Sequence, residues 1–285
     1  MRLGLVFVLA AGVASGCSLL VGEGLSGGSG GAEDPADAND DAPSVPGNEG
    51  GLDGAPPLPP RPREGVYAYV ISGKDTLSFG PVTTSYGPTA SATVVNREGA
   101  GSCFTMTLAL RSGYTDAQDF CVREDAIVRT GGRRRQFFQV LSGVDVNTSM
   151  VCEPGDVFNV AAPVVGETKT HLCTGKNVES ENGESPFSSG GTYRYVGEET
   201  IKVGSSDVRV RHFREELTVT GEQTGKNELD WYFAVESGVL VRLVRKVAIV
   251  FPRAFETTYA ENADLSLVAL EPAPLPVDAG SDAAK

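Results

Sequence analysis

The sequence predicts an all-β protein in which antiparallel meanders form a curved sheet, sandwich or half-barrel between disordered N- and C-terminal tails. Two observations lead to this prediction. Hydrophobic residues recur at every second position through much of residues 65–270, as expected of strands with one buried face. No segment of helical length keeps a 3.6-residue hydrophobic period. About ten to fourteen short strands fit this stretch, which is long enough for one substantial core.

The strand pattern can be followed along the chain. CFTMTLAL, which begins at Cys103, places its large apolar residues on one face, and LDWYFAV at 229–235 does the same. DVRVRH at 207–212 alternates valine with charged residues. GVLVRLVRKVAIVF at 238–251 is a long β-rich run that we expect to be apolar on one face, with Arg and Lys on the other. Each segment is therefore predicted to be a half-buried antiparallel strand.

Polar and glycine-containing stretches separate these strands. The glycine pair at 131–132 predicts a turn between AIVRT and RRRQFF, and further turns are predicted at 220–227 and 237–238. The arginine run at 133–135 then becomes an exposed hairpin tip whose charge keeps the sheet edge soluble. Contact with acidic polymers or lipid headgroups is the alternative for this run.

A short motif occurs twice. GVYAYV at 65–70 and GTYRYV at 191–196 both have the form Gly-x-Tyr-x-Tyr-Val. This echo is compatible with two similar halves of the β-domain, at about 65–150 and 190–270.

The first twenty residues have the features of a secretory signal. Arg2 supplies a positive charge, an apolar run follows from Leu3 to Val13, and small residues precede Cys17. The apolar run is about half of the roughly 20 residues that a spanning helix needs, so a transmembrane helix is not predicted. Small residues directly before a cysteine resemble the lipobox of bacterial lipoproteins, and this resemblance implies cleavage after Gly16 and lipidation of Cys17. An ordinary secretory signal that contains a cysteine is the alternative.

Composition divides the rest of the chain. We predict a signal peptide over 1–16, a lipidated cysteine and acidic Gly- and Pro-rich linker over 17–64, a β-domain over 65–270 and a disordered tail over 271–285. The linker and tail have few large apolar residues, so burial cannot offset the entropy cost of ordering them. The formal net charge is -13 at pH 7, and much of this acidity lies in the tails. A mildly acidic domain argues against a nucleic-acid partner, which needs a basic surface.

Four cysteines fall within the predicted β-domain. An even number in an exported chain indicates disulfides, with three possible pairings. We favour Cys103–Cys121 and Cys152–Cys173, because each pair flanks one local loop. A metal site is the alternative, but the paired CxxC spacing typical of structural zinc is missing.

Residues for catalysis are few. The chain has only two histidines, His171 and His212, and a serine hydrolase would need one of them beside an activated serine and an orienting acid. His212 is in phase with neighbouring valines, which favours a packed strand position. We therefore predict no catalytic residue, cofactor or metal site, with a hydrolase that uses His171 or His212 as the alternative function.

Several short motifs in residues 150–270 follow one another in a recognisable order. They are CEP at 152–154, PVVG at 163–166, GEETIKVGSSDVRVRHF at 197–213, Trp231 and GVLVR at 238–242. This order resembles that of uncharacterised exported bacterial β-domains, which are similar in outline to half-barrels of the lipoprotein-carrier type. The resemblance implies a curved antiparallel sheet with an apolar concave face, and it implies no catalytic residue.

Together these observations predict a lipoprotein of the bacterial cell envelope, anchored outside the cytoplasm through Cys17 and carrying a non-enzymatic binding or structural β-domain on a flexible linker. The expected partners are the membrane, through the lipid anchor, and an envelope protein or an apolar small molecule. A carrier of an apolar or lipid ligand is a further alternative. Ser18 after the cysteine is compatible with the outer membrane, if the cell has two membranes.

Overall fold

The computed structural model of the protein describes residues 59–78, 82–97, 102–123, 126–139, 143–158, 163–180, 183–251 and 256–276. The predicted signal peptide, Cys17, most of the predicted linker and the end of the predicted C-terminal tail lie outside these residues. Within the described part of the chain, no helix has the length and apolar character that a membrane crossing requires.

The described residues form fourteen β-strands, numbered here in chain order. They are β1 Gly65–Leu77, β2 Val82–Ser85, β3 Thr89–Asn96, β4 Cys103–Arg111, β5 Tyr114–Arg123, β6 Ala126–Phe138, β7 Val144–Cys152, β8 Val157–Phe158, β9 Thr168–Glu179, β10 Gly183–Val203, β11 Ser206–Gly221, β12 Thr224–Ala234, β13 Leu240–Phe251 and β14 Thr257–Leu267.

These strands form one sheet that closes on itself. Twelve of them follow one another around the sheet in chain order, each antiparallel to the next. The last strand, β14, pairs with β1, where Tyr69 lies opposite Leu267. The short β2 and β8 lie off this circuit and pair with β1 and β6. The predicted all-β fold of antiparallel meanders is therefore confirmed, and the curved sheet closes into a barrel-like form.

The predicted turn at 131–132 is wrong, because both glycines lie inside the continuous strand β6. A Cβ atom on Gly131 would lie 2.5 Å from the carbonyl oxygen of Met150, and one on Gly132 would lie 2.6 Å from that of Ala117. The register between β5 and β6 also shifts at this point. The glycines therefore permit a β-bulge and a close approach of neighbouring strands, which are the other common roles of glycine in a strand.

The inward-facing side chains lie in three layers along the strands. A large apolar cluster lies at one end, and a small apolar cluster lies at the other. Between them is a layer of buried charged groups, which we call the charged layer. Three strands show this order: Leu243, Arg245 and Val247 on β13, Ala263, Glu261 and Tyr259 on β14, and Ile71, Asp75 and Leu77 on β1.

Aromatic rings fill the centre of the large apolar cluster, which we call the aromatic core. Phe158 on β8 is fully buried there. Its ring centroid lies 5.2 Å from that of Phe233, 5.5 Å from that of Phe213 and 5.6 Å from that of Trp231. The two-residue strand β8 thus brings one ring into the middle of the closed sheet, where aromatic pairs pack favourably at such distances.

Candidate functional site

A cavity of about 110 Å³ lies inside the sheet, beside the charged layer. Polar side chains such as Arg134 and Gln118 line it, together with apolar side chains of the small cluster such as Val247, Ile249 and Tyr259. A space of this size holds roughly seven to ten water molecules, or a small organic molecule. It is therefore a candidate binding site with both polar and apolar walls.

Arg129 organises one buried ion cluster of the charged layer. Its guanidinium contacts Asp156 and lies 3.1 Å from Glu215 Oε2. Burial raises the pKa of Glu215 to about 8. Burial also acts to raise the pKa of Asp156, but Arg129 and His171 outweigh it and hold that pKa below its usual range. At neutral pH this cluster therefore contains an ionised Asp156 beside a protonated Glu215, so that Arg129 faces one buried negative charge.

Arg245 organises another cluster. Its Nη1 lies 2.6 Å from Asp116 Oδ2, and its Nε lies 3.2 Å from Glu261 Oε1. The hydroxyls of Tyr114 and Tyr259 each donate a hydrogen bond of 2.8 Å to Glu261 Oε2. Glu261 is only 1% exposed, so these contacts replace the water that it has lost.

Arg134 also lies on the inner face, and it is placed differently from Arg129 and Arg245. It follows the inward phase of β6 between the buried Gly132 and Gln136, and it lines the cavity. Within the described part of the chain it makes no hydrogen bond or ion pair. Burial acts to lower the pKa of Arg134, but Tyr114 and Asp116 act in the opposite direction and leave it raised. The cavity wall therefore includes a charged guanidinium without a partner.

The cavity wall also holds buried polar atoms that lack hydrogen-bond partners among the described residues. The indole Nε1 of Trp231 and the Nε of Arg129 are unpartnered donors, and Gln118 Oε1 and Asn227 Oδ1 are unpartnered acceptors. Trp231 is 2% exposed and Gln118 4%. Because unpaired buried polar groups are costly, their concentration at one cavity indicates that water or a ligand satisfies them.

One disulfide pair faces the interior at the edge of this cavity. Cys152 and Cys173 lie opposite each other on β7 and β9, with their Cα atoms 4.0 Å apart and their sulfur atoms at disulfide distance. The Nε2 of His171 lies 3.2 Å from Cys173 Sγ, and its Nδ1 lies 2.5 Å from Asp156 Oδ1. Asp156 therefore orients the imidazole so that Nε2 faces the sulfur.

These residues also form the group of potential metal ligands found in the described part of the chain. One ligand atom each of Cys152, His171 and Cys173 lies within 4.8 Å of the others. A sulfur in a disulfide cannot bind a metal as a thiolate, so this oxidised group offers one histidine nitrogen. A zinc site needs at least three protein ligands, and the disulfide therefore does not fit a metal centre.

The second disulfide pair lies on the opposite face of the same sheet. Cys103 and Cys121 are directly paired on β4 and β5, their Cα atoms are 3.9 Å apart and their sulfur atoms are at disulfide distance. Their neighbours Phe104 and Phe120 are buried in the aromatic core, so the two cysteines point outward. These are the two pairs that the sequence favoured.

His212 lies away from the cavity wall. Its Nε2 is 2.7 Å from Asp230 Oδ1, its Nδ1 is 3.4 Å from Glu199 Oε1, and its ring stacks on Tyr232 with centroids 4.2 Å apart. Burial acts to raise the pKa of Asp230, but His212 and Arg214 lower it to about 2. His212 is 8% exposed, so it occupies a packed strand position between carboxylates, as its phase predicted.

The sequence interpretation missed the cavity because it assigned the arginines to the wrong face. Arg245 was expected on the polar face of its strand, but it lies inward in phase with Leu243 and Val247. Arg134 was expected at an exposed hairpin tip. Of the three arginines in this run, only Arg133 and Arg135 are exposed. The available signal was the phase itself, since an arginine two residues from a core position on a strand faces that core.

Comparison of the chain with protein-family models, with curated proteins and with solved structures returns no match.

Proposed function

We propose that the protein is a lipid-anchored lipoprotein of the cell envelope whose β-domain binds a small molecule in the cavity inside its closed sheet. The observation that carries the binding proposal is the cavity wall, where buried polar atoms of Trp231 and Gln118 lack hydrogen-bond partners among the described residues. Such atoms are stable when a ligand or ordered water completes their hydrogen bonds.

The size of the cavity favours a small ligand over a lipid. A cavity of about 110 Å³ is smaller than the roughly 150 Å³ apolar cavity known to accept benzene. An acyl chain of a membrane lipid would therefore leave most of its length outside this space. The charged layer also distinguishes this interior from the purely apolar concave face that the carrier resemblance implied.

The binding proposal is tested with ligand-observed NMR on the purified full chain, using alcohols, amides and carboxylates of two to six carbons. We expect at least one class to bind the wild type. Ser189→Leu, which adds bulk to a buried residue of the cavity wall, should abolish that binding while the fold is retained. Absence of binding by all three classes would overturn the proposal and favour a structural domain.

The anchor proposal depends on Cys17. The positive residue, the apolar run and the small residues before this cysteine support export and lipidation. Labelled palmitate should enter the wild type and not Cys17→Ser, because stable anchoring needs acyl chains on this residue. Equal labelling of both, or labelling of neither, would contradict the proposal.

The alternative function is a hydrolase that uses His171 or His212. Among the described residues neither histidine contacts a serine hydroxyl: His171 lies between Asp156 and a disulfide sulfur, and His212 lies between carboxylates. These contacts favour binding over a serine hydrolase, which needs an activated serine beside the histidine. Turnover of ester substrates that is lost in folded His171→Ala or His212→Ala would support the hydrolase. The binding domain would be supported if the wild type does not hydrolyse esters and His212→Ala binds the ligand as the wild type does.

A further inference from the structure

The arginine run at 133–135 divides between the two faces of β6. The side chains of Arg133 and Arg135 are 66% and 61% exposed, and they lie 3.8 Å from Asp119 and 2.7 Å from Asp145. Arg134 points the other way and lines the cavity. Three identical side chains in a row therefore provide one interior guanidinium and two outer ones.

Arg134 differs from the other interior arginines in what it touches. Arg129 and Arg245 each lie between two carboxylates. The nearby Asp116 is occupied, because Oδ2 accepts from Arg245 and Oδ1 accepts from Gln118. The guanidinium of Arg134 thus keeps its donors available toward the cavity, and the described residues supply no acceptor for them.

A second donor supports a ligand with acceptor oxygens. The Nε1 of Trp231 is buried in the same wall and has no hydrogen-bond partner in the described part of the chain, and an indole nitrogen can only donate. A guanidinium binds a carboxylate more strongly than a neutral acceptor, because both partners are charged and the hydrogen bonds can be paired.

The apolar part of the cavity wall indicates the chemical character of the rest of the ligand. Phe138, Val247 and Ile249 line it from the side of the small apolar cluster. A molecule that reaches Arg134 with a carboxylate would place its other end among these side chains. Because a cavity of roughly 150 Å³ accepts the six non-hydrogen atoms of benzene, the smaller volume of about 110 Å³ sets an upper limit of about six non-hydrogen atoms for the ligand.

We propose that the cavity binds a short-chain monocarboxylate of three or four carbons, with its carboxylate on Arg134 and its alkyl end against the small apolar cluster. This inference rests on the proposed binding function and adds the charge and size of the ligand to it. The residue that decides charge selection is Arg134, and the exposed Arg135, which does not line the cavity, takes no part.

The experiment is isothermal titration calorimetry of the full chain at pH 7 with propionate, butyrate and octanoate, and with propionamide and butyramide. Propionate and butyrate should bind one to one, and the amides and octanoate at least tenfold more weakly. Arg134→Met should weaken butyrate binding at least tenfold, whereas Arg135→Met, which changes an arginine outside the cavity wall, should match the wild type. Arg134→Lys, which keeps the charge without the planar fork, should lie between these values.

Two results would overturn the inference. One is butyrate affinity in folded Arg134→Met equal to that of the wild type, and the other is butyramide affinity equal to that of butyrate. In either case the proposed function would stand if the wild type binds alcohols or amides and Ser189→Leu abolishes that binding. If no probe binds, whether charged or neutral, both the inference and the proposed function fail.

Discussion

The aromatic core and the charged layer bury their side chains inside one closed sheet by opposite means. In the aromatic core, Phe158 is surrounded by rings at 5.2–6.3 Å between centroids. In the charged layer, Arg129 and Arg245 each lie between two carboxylates that are at most 9% exposed. The first region contributes apolar burial and ring packing, whereas the second exchanges hydration for ion pairs and hydrogen bonds.

This difference indicates where stability and function are located. Burial of rings is stabilising and independent of pH, whereas the desolvation cost of buried ion pairs offsets much of their attraction. The cavity lies beside the charged layer, and the unpartnered polar atoms of Gln118 and Asn227 are in its wall. We therefore expect the aromatic core to determine the free energy of unfolding and the charged layer to determine ligand binding.

The largest effect is expected from removal of the central ring. Phe158→Ala should lower the free energy of unfolding by about 3–5 kcal/mol, because it deletes a fully buried aromatic side chain and leaves a cavity. Urea unfolding at pH 7 measures this change. Phe137→Ala is the matched control, since Phe137 is 39% exposed and its loss should cost less than about 1 kcal/mol. Equal losses in the two variants would contradict the assignment of Phe158 to the core.

The next prediction separates the attraction within an ion cluster from the net contribution of that cluster to the free energy of unfolding. Arg129→Met leaves the buried Asp156 without its main cation, and this should lower the free energy of unfolding by about 3–5 kcal/mol. The triple variant Arg129→Met, Asp156→Leu and Glu215→Leu removes every member of the cluster. It should be less destabilised than Arg129→Met in the same urea measurement. If the triple variant is the less stable of the two, the cluster contributes net stability and the contrast with the aromatic core is wrong.

The fold could be predicted from the sequence because alternation is a local signal. CFTMTLAL predicts β4, and the polar stretch at 220–227 lies where β11 ends and β12 begins. Closure of the sheet could not be predicted, since the pairing of Tyr69 with Leu267 joins residues from opposite ends of the domain. No local pattern reports such a contact.

The cavity was harder to predict because its members come from many strands and include residue types that usually lie at the surface. Arg129 and Glu215 are far apart in sequence, and their contact depends on the closed sheet. The phase of Arg245 was readable, but a charged residue at an inward position is expected only when a partner is known. The glycines at 131–132 had two common interpretations, and only the neighbouring strands distinguish a bulge from a turn.

The two disulfide pairs allow a smaller effect to be compared across the faces of the sheet. They close loops of similar length, with sequence separations of 18 and 21, so the loop-entropy model gives each about 3 kcal/mol. Cys152→Ala with Cys173→Ala should cost about 1 kcal/mol more than Cys103→Ala with Cys121→Ala. The reason is that the first pair also removes buried sulfur atoms from the interior. Urea unfolding of the two double variants checks this order, and a larger loss in the outer pair would reverse it.

The last comparison is a pH dependence of stability that the charged layer should have and the aromatic core should lack. Burial raises the pKa of Glu215 to about 8 in the folded chain, whereas an unfolded chain leaves it near the ordinary value of 4.5. Between these values the folded state holds a proton that the unfolded state has lost, so stability falls as pH rises, by at most about 1.4 kcal/mol per pH unit. Urea unfolding from pH 5 to pH 8.5 should show this decline in the wild type and in Phe158→Ala. In Glu215→Gln, which keeps the shape of the protonated acid, the decline should be smaller. A slope that is the same in Glu215→Gln and the wild type would mean that another group carries the proton.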